Sequence, residues 1–144
     1  MYLKNGIDFE PVEVSKLDKC NILGVHLSEY RYNIYSIYRA PNNDKISYLH
    51  WFSRLLEENK NSLIVDDINL NVLDNYSYTI QNKNMFTRKK KHREGTNLDH
   101  VITPKCISCQ VRPKNIIISD HKMLMVTAKL NKHKPLNKTN KITT

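Results

Sequence analysis

The sequence predicts an α+β protein in which roughly one sheet is covered by one main helix. Stretches such as "YNIYSIYR" alternate apolar and polar residues and are rich in Tyr and Ile, which is the signature of half-buried strands. One segment only, Lys45 to Asn59, repeats its apolar residues at spacings of three and four. About six strand-like runs therefore share a single amphipathic helix.

In chain order, "CNILGVHL" (Cys20 to Leu27) and "YNIYSIYR" (Tyr32 to Arg39) are the first two strands. Ser28 to Arg31 between them is short enough for an antiparallel hairpin. "APNN" breaks the pattern, and Asn43 or Asp44 can cap the helix. Its apolar stripe reads Ile46, Leu49, Phe52, Leu55 and Leu56, with Trp51 beside it. "SLIVDDINLN" follows as a strand that runs into two adjacent aspartates. Leu70 to Thr96 has little periodicity and reads as a long loop, a length that is uncommon unless the loop is functional. "NLDHVIT" and "ISCQVR" are strands, and "NIIISDH" leads into "KMLMVTAKL", where Leu124, Val126, Ala128 and Leu130 share one face. Residues 131–144 form a basic linker or disordered tail, so the predicted domain is 1–130.

Composition narrows the function classes. Three glycines leave no GxxxxGK or GxGxxG phosphate loop. The N-terminal stretch has no apolar core of a signal peptide, and nowhere do 18 apolar residues run together. Three cysteines fit a reducing setting better than a disulfide framework. The expectation is an intracellular protein, nuclear or cytoplasmic, with no membrane partner.

The net charge of +9 is localised. "RKKKHR", Arg88 to Arg93, holds five Lys or Arg, namely Arg88, Lys89, Lys90, Lys91 and Arg93, and Lys129 to Lys141 holds five lysines. Neither segment contains an acid, and the rest of the chain is near balance at 13 basic to 14 acidic residues. A local basic block attracts nucleic-acid backbone by releasing condensed counterions. Charge runs by themselves are more often solvated surface.

Four groups of residues can carry chemistry. Asp67 and Asn69, two apart at a strand end, would lie on one face, where the carboxylate can activate water and the amide can hold a phosphate oxygen. Asx residues at strand ends more commonly bond their own backbone in a turn. In "SDH", Asp120 and His121 would converge only if the chain turns there. Asp99 in "LDH" can orient a histidine and fix its tautomer, although a salt bridge or cap is the plainer role. Cys106 and Cys109 have CxxC spacing but no second pair for zinc, and His26, His50, His92 and His133 have no context of their own.

Taken in order, "IYRAPNN", a helix, "LIVDDIN", a basic loop, "NLDHVI" and "SDHKMLMV" resemble the endonuclease/exonuclease/phosphatase (deoxyribonuclease-I-like) superfamily. Strings such as "NIYSIYR.P" and "LDHVIT" are most similar to endonuclease domains of non-LTR (LINE/jockey-type) retrotransposons, over about residues 1–130. The resemblance implies part of a four-layer αββα sandwich and Mg²⁺- or Mn²⁺-assisted phosphodiester hydrolysis that nicks DNA. It also implies a reverse transcriptase region of a longer polyprotein beyond the Lys-rich tail. By the same resemblance Tyr38 contacts the scissile phosphate, Asp67 activates the water and Asn69 helps hold the phosphate. Asp99 pairs with His121, His121 stabilises charge on the phosphoryl oxygens, and Asp120 lies beside the metal.

The chain departs from that pattern in two ways. The family's early Asn and the Glu that is its main metal ligand belong before the place where Met1 stands, and Glu10, Glu13 and Glu29 lack the family's strand context. The loop after Asn69 is also shorter than the family's helix-containing insert. A domain so truncated would be impaired, and the alternative is a non-catalytic nucleic-acid-binding remnant or a non-functional fragment of a mobile element. In addition, Asp66 stands where the family has Gly. On a regular strand it shares an apolar face with Ile64 and Ile68, where an unpaired carboxylate costs several kcal/mol or stays protonated. The expectations are a decayed position at Asp66 and a partly uncovered apolar sheet face.

Overall fold

A computed structural model of the chain describes residues 3–70, 78–81, 87–88, 97–104, 106–116 and 119–132. Eight strands and one helix occur among them: β1 (Phe9–Val12), β2 (Cys20–Leu27), β3 (Tyr32–Arg39), α1 (Lys45–Glu58), β4 (Ser62–Asp67), β5 (Tyr78–Ile80), β6 (Asp99–Pro104), β7 (Cys109–Asn115) and β8 (Lys122–Ala128). Six strands form one sheet in the order β1-β2-β3-β4-β6-β5, and β7 pairs with β8 separately.

β2 and β3 form the expected antiparallel hairpin, with Leu27 opposite Tyr32. Arg31 takes a left-handed φ of 50° in the turn. β3 and β4 run parallel, so the chain must cross over, and α1 makes the crossover. The Asp44 side chain caps the helix by accepting the Ser47 N–H at 2.7 Å. Tyr48, Phe52, Leu55 and Leu56 face the sheet. Ile46, expected on that stripe, is 78% exposed: it lies in the first turn, where Tyr48 fills the place against the sheet instead.

The two faces of the large sheet are covered unequally. Helix residues Tyr48, Phe52, Leu55 and Leu56 pack on Tyr35, Ile37, Ile64 and Ile102. On the other face Leu63, Val65 and Val101 pack on Val111, Leu124 and Val126 of the β7–β8 hairpin. The expected strand face of Leu124, Val126 and Leu130 is thus a packing face. Two stranded segments lie outside the sequence expectation. β1 carries Pro11, which an edge strand tolerates, and β5 lies inside the predicted loop. The hairpin is also a sheet of its own rather than an extension of the first. Among the described residues no helix is long and apolar enough to cross a membrane.

Candidate active site

Neighbours in register on adjacent strands project from the same face. Asn21 lies opposite Tyr38, Tyr38 opposite Asp67, and Asp67 opposite Asp99, so one row of polar side chains crosses β2, β3, β4 and β6. Val65 and Val101, each two residues from an aspartate of this row, touch the β7–β8 hairpin. The row therefore lies on the hairpin side, and His121, immediately before β8, reaches it there.

His121 Nδ1 lies 2.9 and 3.1 Å from the two Asp99 carboxylate oxygens. The turn required for that approach exists: Ser119 Oγ accepts the His121 backbone N–H at 3.0 Å. Thr87 ties the two partners' backbones together. Its Oγ1 accepts the N–H groups of Leu98 and Asp99 at 3.0 and 3.1 Å, and its carbonyl accepts that of Lys122 at 2.6 Å. Nothing in the unpatterned loop sequence singled Thr87 out.

Asp67 is half-buried. Burial pushes its carboxyl above the ordinary 3.8 and the Asp99 carboxylate adds to the rise, while His121, the Asn69 backbone N–H and Arg88 oppose it. The bond from the Asn69 N–H is the Asx turn that the sequence also allowed. Asn69 itself adopts a left-handed φ of 50°, which asparagine tolerates better than most residues. Its Nδ2 donates to the Arg39 carbonyl at 2.8 Å, so the amide fixes the turn after Asp67 rather than continuing the strand face. Arg39 is buried and clamps the same turn from inside. Its guanidinium donates to the Ile68 carbonyl at 3.1 Å and to the Asn43 carbonyl, and lies over the Tyr48 ring. The "YR" string pointed to Tyr38, which is 42% exposed beside Asp67; the adjacent Arg39 went unremarked.

Asp120 is not part of this cluster. Its Oδ2 accepts from Arg88 Nε at 2.7 Å in an exposed pair, which holds its carboxyl below the usual value. Lys89, Lys90, Lys91 and Arg93 lie outside the described residues. Asp67, Asp99 and His121 each offer a ligand atom within 4.8 Å of the others, and Asp67 Oδ1 is buried without a hydrogen-bond partner. Two carboxylates and an imidazole around an orphaned oxygen form a donor set that fits a divalent cation.

Asp66 is not the unpaired carboxylate that the sequence suggested. It faces His100 across β4 and β6, and Oδ1 accepts the His100 backbone N–H at 3.0 Å. His100 Nδ1 lies 3.3 Å from the same oxygen, close enough for charge pairing but outside hydrogen-bond geometry. Both side chains are fully buried. Burial raises the Asp66 carboxyl, and His100 only partly offsets it. The sequence hid this pair because strand register was needed to place His100 opposite Asp66.

No family model matches the sequence, and no curated protein matches it. Its α+β fold is nevertheless similar to that of a solved structure. That structure is entitled "Endonuclease domain of TRAS1, a telomere-specific non-LTR retrotransposon". The TM-score is 0.64, over 91% of this chain and 72% of that one, at 16% sequence identity.

Proposed function

We propose that the chain is a metal-assisted phosphodiesterase domain of the retrotransposon-endonuclease type, acting on DNA. The observation that carries this reading is the convergence of Asp67, Asp99 and His121 beside an exposed Tyr38. Asp67, with its raised carboxyl and free Oδ1, takes the proton of the attacking water. Asp99 holds His121 through Nδ1, which leaves Nε2 to donate to a phosphoryl oxygen as negative charge grows. Tyr38 flanks the phosphate. Water adds to phosphorus, the bond to the 3′-oxygen breaks, and that oxygen takes a proton from solvent water to leave as a primer 3′-hydroxyl, with the phosphate retained on the 5′ side. The Asp67 and Asp99 carboxylates would hold Mg²⁺ or Mn²⁺, which supplies charge neutralisation at the phosphate when bound. The family's Glu ligand has no counterpart in the matched motifs.

A second reading, nucleic-acid binding without hydrolysis, is favoured by the localised +9 charge, whose basic tracts would track phosphate backbone. Supercoiled plasmid separates the two. Mg²⁺-dependent nicking that stops with EDTA and falls about 10²-fold or more in Asp67→Ala supports the nuclease. Salt-sensitive plasmid retention with no nicking supports the binder.

A further inference from the structure

The buried Asp66–His100 pair is adjacent to the candidate site but takes no part in the chemistry above. Asp66 precedes Asp67 and His100 follows Asp99, so the two pairs are successive rungs of the β4–β6 ladder, pointing to opposite faces. The other two rungs, Ile64 opposite Ile102 and Val65 opposite Val101, are aliphatic on both strands. Aliphatic rungs do not specify register well. A one-residue slip would set residues of opposite faces against each other, but a slip of two keeps every residue on its face and moves Ile64 and Val65 against Pro104 and Thr103, or against His100 and Asp99.

The buried pair penalises such a slip. The Asp66 carboxylate accepts a particular backbone N–H, that of His100, at 3.0 Å. A shift of two residues would set Asp66 against Ile102 or Leu98, and the buried carboxylate would lose the imidazole beside it. Asp66 Oδ2 and both ring nitrogens of His100 already lack hydrogen-bond partners, so the pair is a poor source of stability. What it does provide is discrimination between registers, the use of buried polar groups best attested in coiled coils.

We infer that Asp66 and His100 are positioning residues that lock the β4–β6 register and thereby set Asp67 opposite Asp99. This deepens the nuclease reading and rests on it for its catalytic consequence. The buried Arg39 guanidinium fixes the chain on the other side of Asp67, at Ile68. Asp67 is thus bracketed by a register lock before it and a turn clamp after it.

The test uses the full chain with Asp66→Leu/His100→Leu, which removes both polar partners together, and with Asp66→Asn, which keeps an acceptor oxygen. Two measurements are made: cross-strand proton contacts between β4 and β6 by NMR, and plasmid nicking. The double variant is expected to melt cooperatively, to show more than one set of β4–β6 contacts, and to lose about 10²-fold in kcat with KM little changed. Asp66→Asn is expected to keep one set of contacts and nick within about threefold of the parent. A cooperatively folded double variant with a single Asp67–Asp99 register and parental nicking overturns the inference. If the double variant does not fold, Asp66→Asn decides: one register supports the lock and a split register overturns it. If the parent itself never nicks, the contact pattern still decides the register question, and only the nuclease reading fails.

Discussion

His121 bonds Asp99 through Nδ1, so the two act chemically as one unit. His121→Ala and Asp99→Asn are each expected to slow nicking about 10²-fold. The double variant should be no slower than His121→Ala alone, because residues acting as a unit are not additive. Rates that multiply instead would mean that the two residues serve separate steps. Asp66 gives a prediction about stability. A carboxyl raised by burial favours the folded state while protonated, so its contribution is complete below pH 3.8 and is lost as pH climbs through the folded-state value. Asp66→Asn cannot lose that proton. Its urea midpoint should match the parent's at the acid end and exceed it at pH 7; equal midpoints throughout would contradict the assigned cause. These residues differ in how far the sequence exposed them. Asp67, Asp99 and His121 stand in short strings whose order carries meaning, whereas Arg39, Thr87 and His100 act through partners some 11 to 34 positions away.

The elements were legible wherever side-chain periodicity survives in one segment. β2, β3, α1 and β4 show it, and each occurs within a few residues of its expected bounds. β1 and β5, of four and three residues, are too short to display a period and exist because a neighbouring edge offers hydrogen bonds. A close contact inside the sheet is also invisible in the sequence. A Cβ on Gly24 would lie 2.7 Å from Tyr35 Cε1 and 3.2 Å from Val12 Cβ. The Tyr35 ring cannot easily yield, since it is buried and its hydroxyl donates to Asn59 Oδ1 at 2.7 Å. Gly24→Ala should therefore cost about 1–3 kcal/mol in chemical denaturation, as overpacking does. No loss would mean that the ring has room to turn.

For the whole molecule, the expectation of a partly bare sheet face is met on the hairpin side. Phe9 and Leu23 are 46% exposed there because β7 and β8 reach only part of the sheet. Met123 and Met125 are exposed on the hairpin itself. Apolar surface of this kind promotes self-association. Sedimentation at rising concentration should show weak oligomers, reduced in Leu23→Lys/Met125→Lys without loss of the melting transition; unchanged association would assign it to another surface. The sequence showed the imbalance of strands to helices but could not show which face it would leave open, because that depends on where the hairpin docks.

The wide spacing of the site along the chain has a kinetic consequence. The β2–β3 hairpin closes over a four-residue turn, whereas Asp67 meets Asp99 only after more than thirty intervening residues are drawn into a loop. Closing that loop costs entropy before any contact repays it, and such non-local pairings form slowly. The refolding chain should therefore acquire hairpin structure well before Asp67 and Asp99 come together. During that interval it would present strand edges and basic segments to its surroundings before its candidate site is assembled.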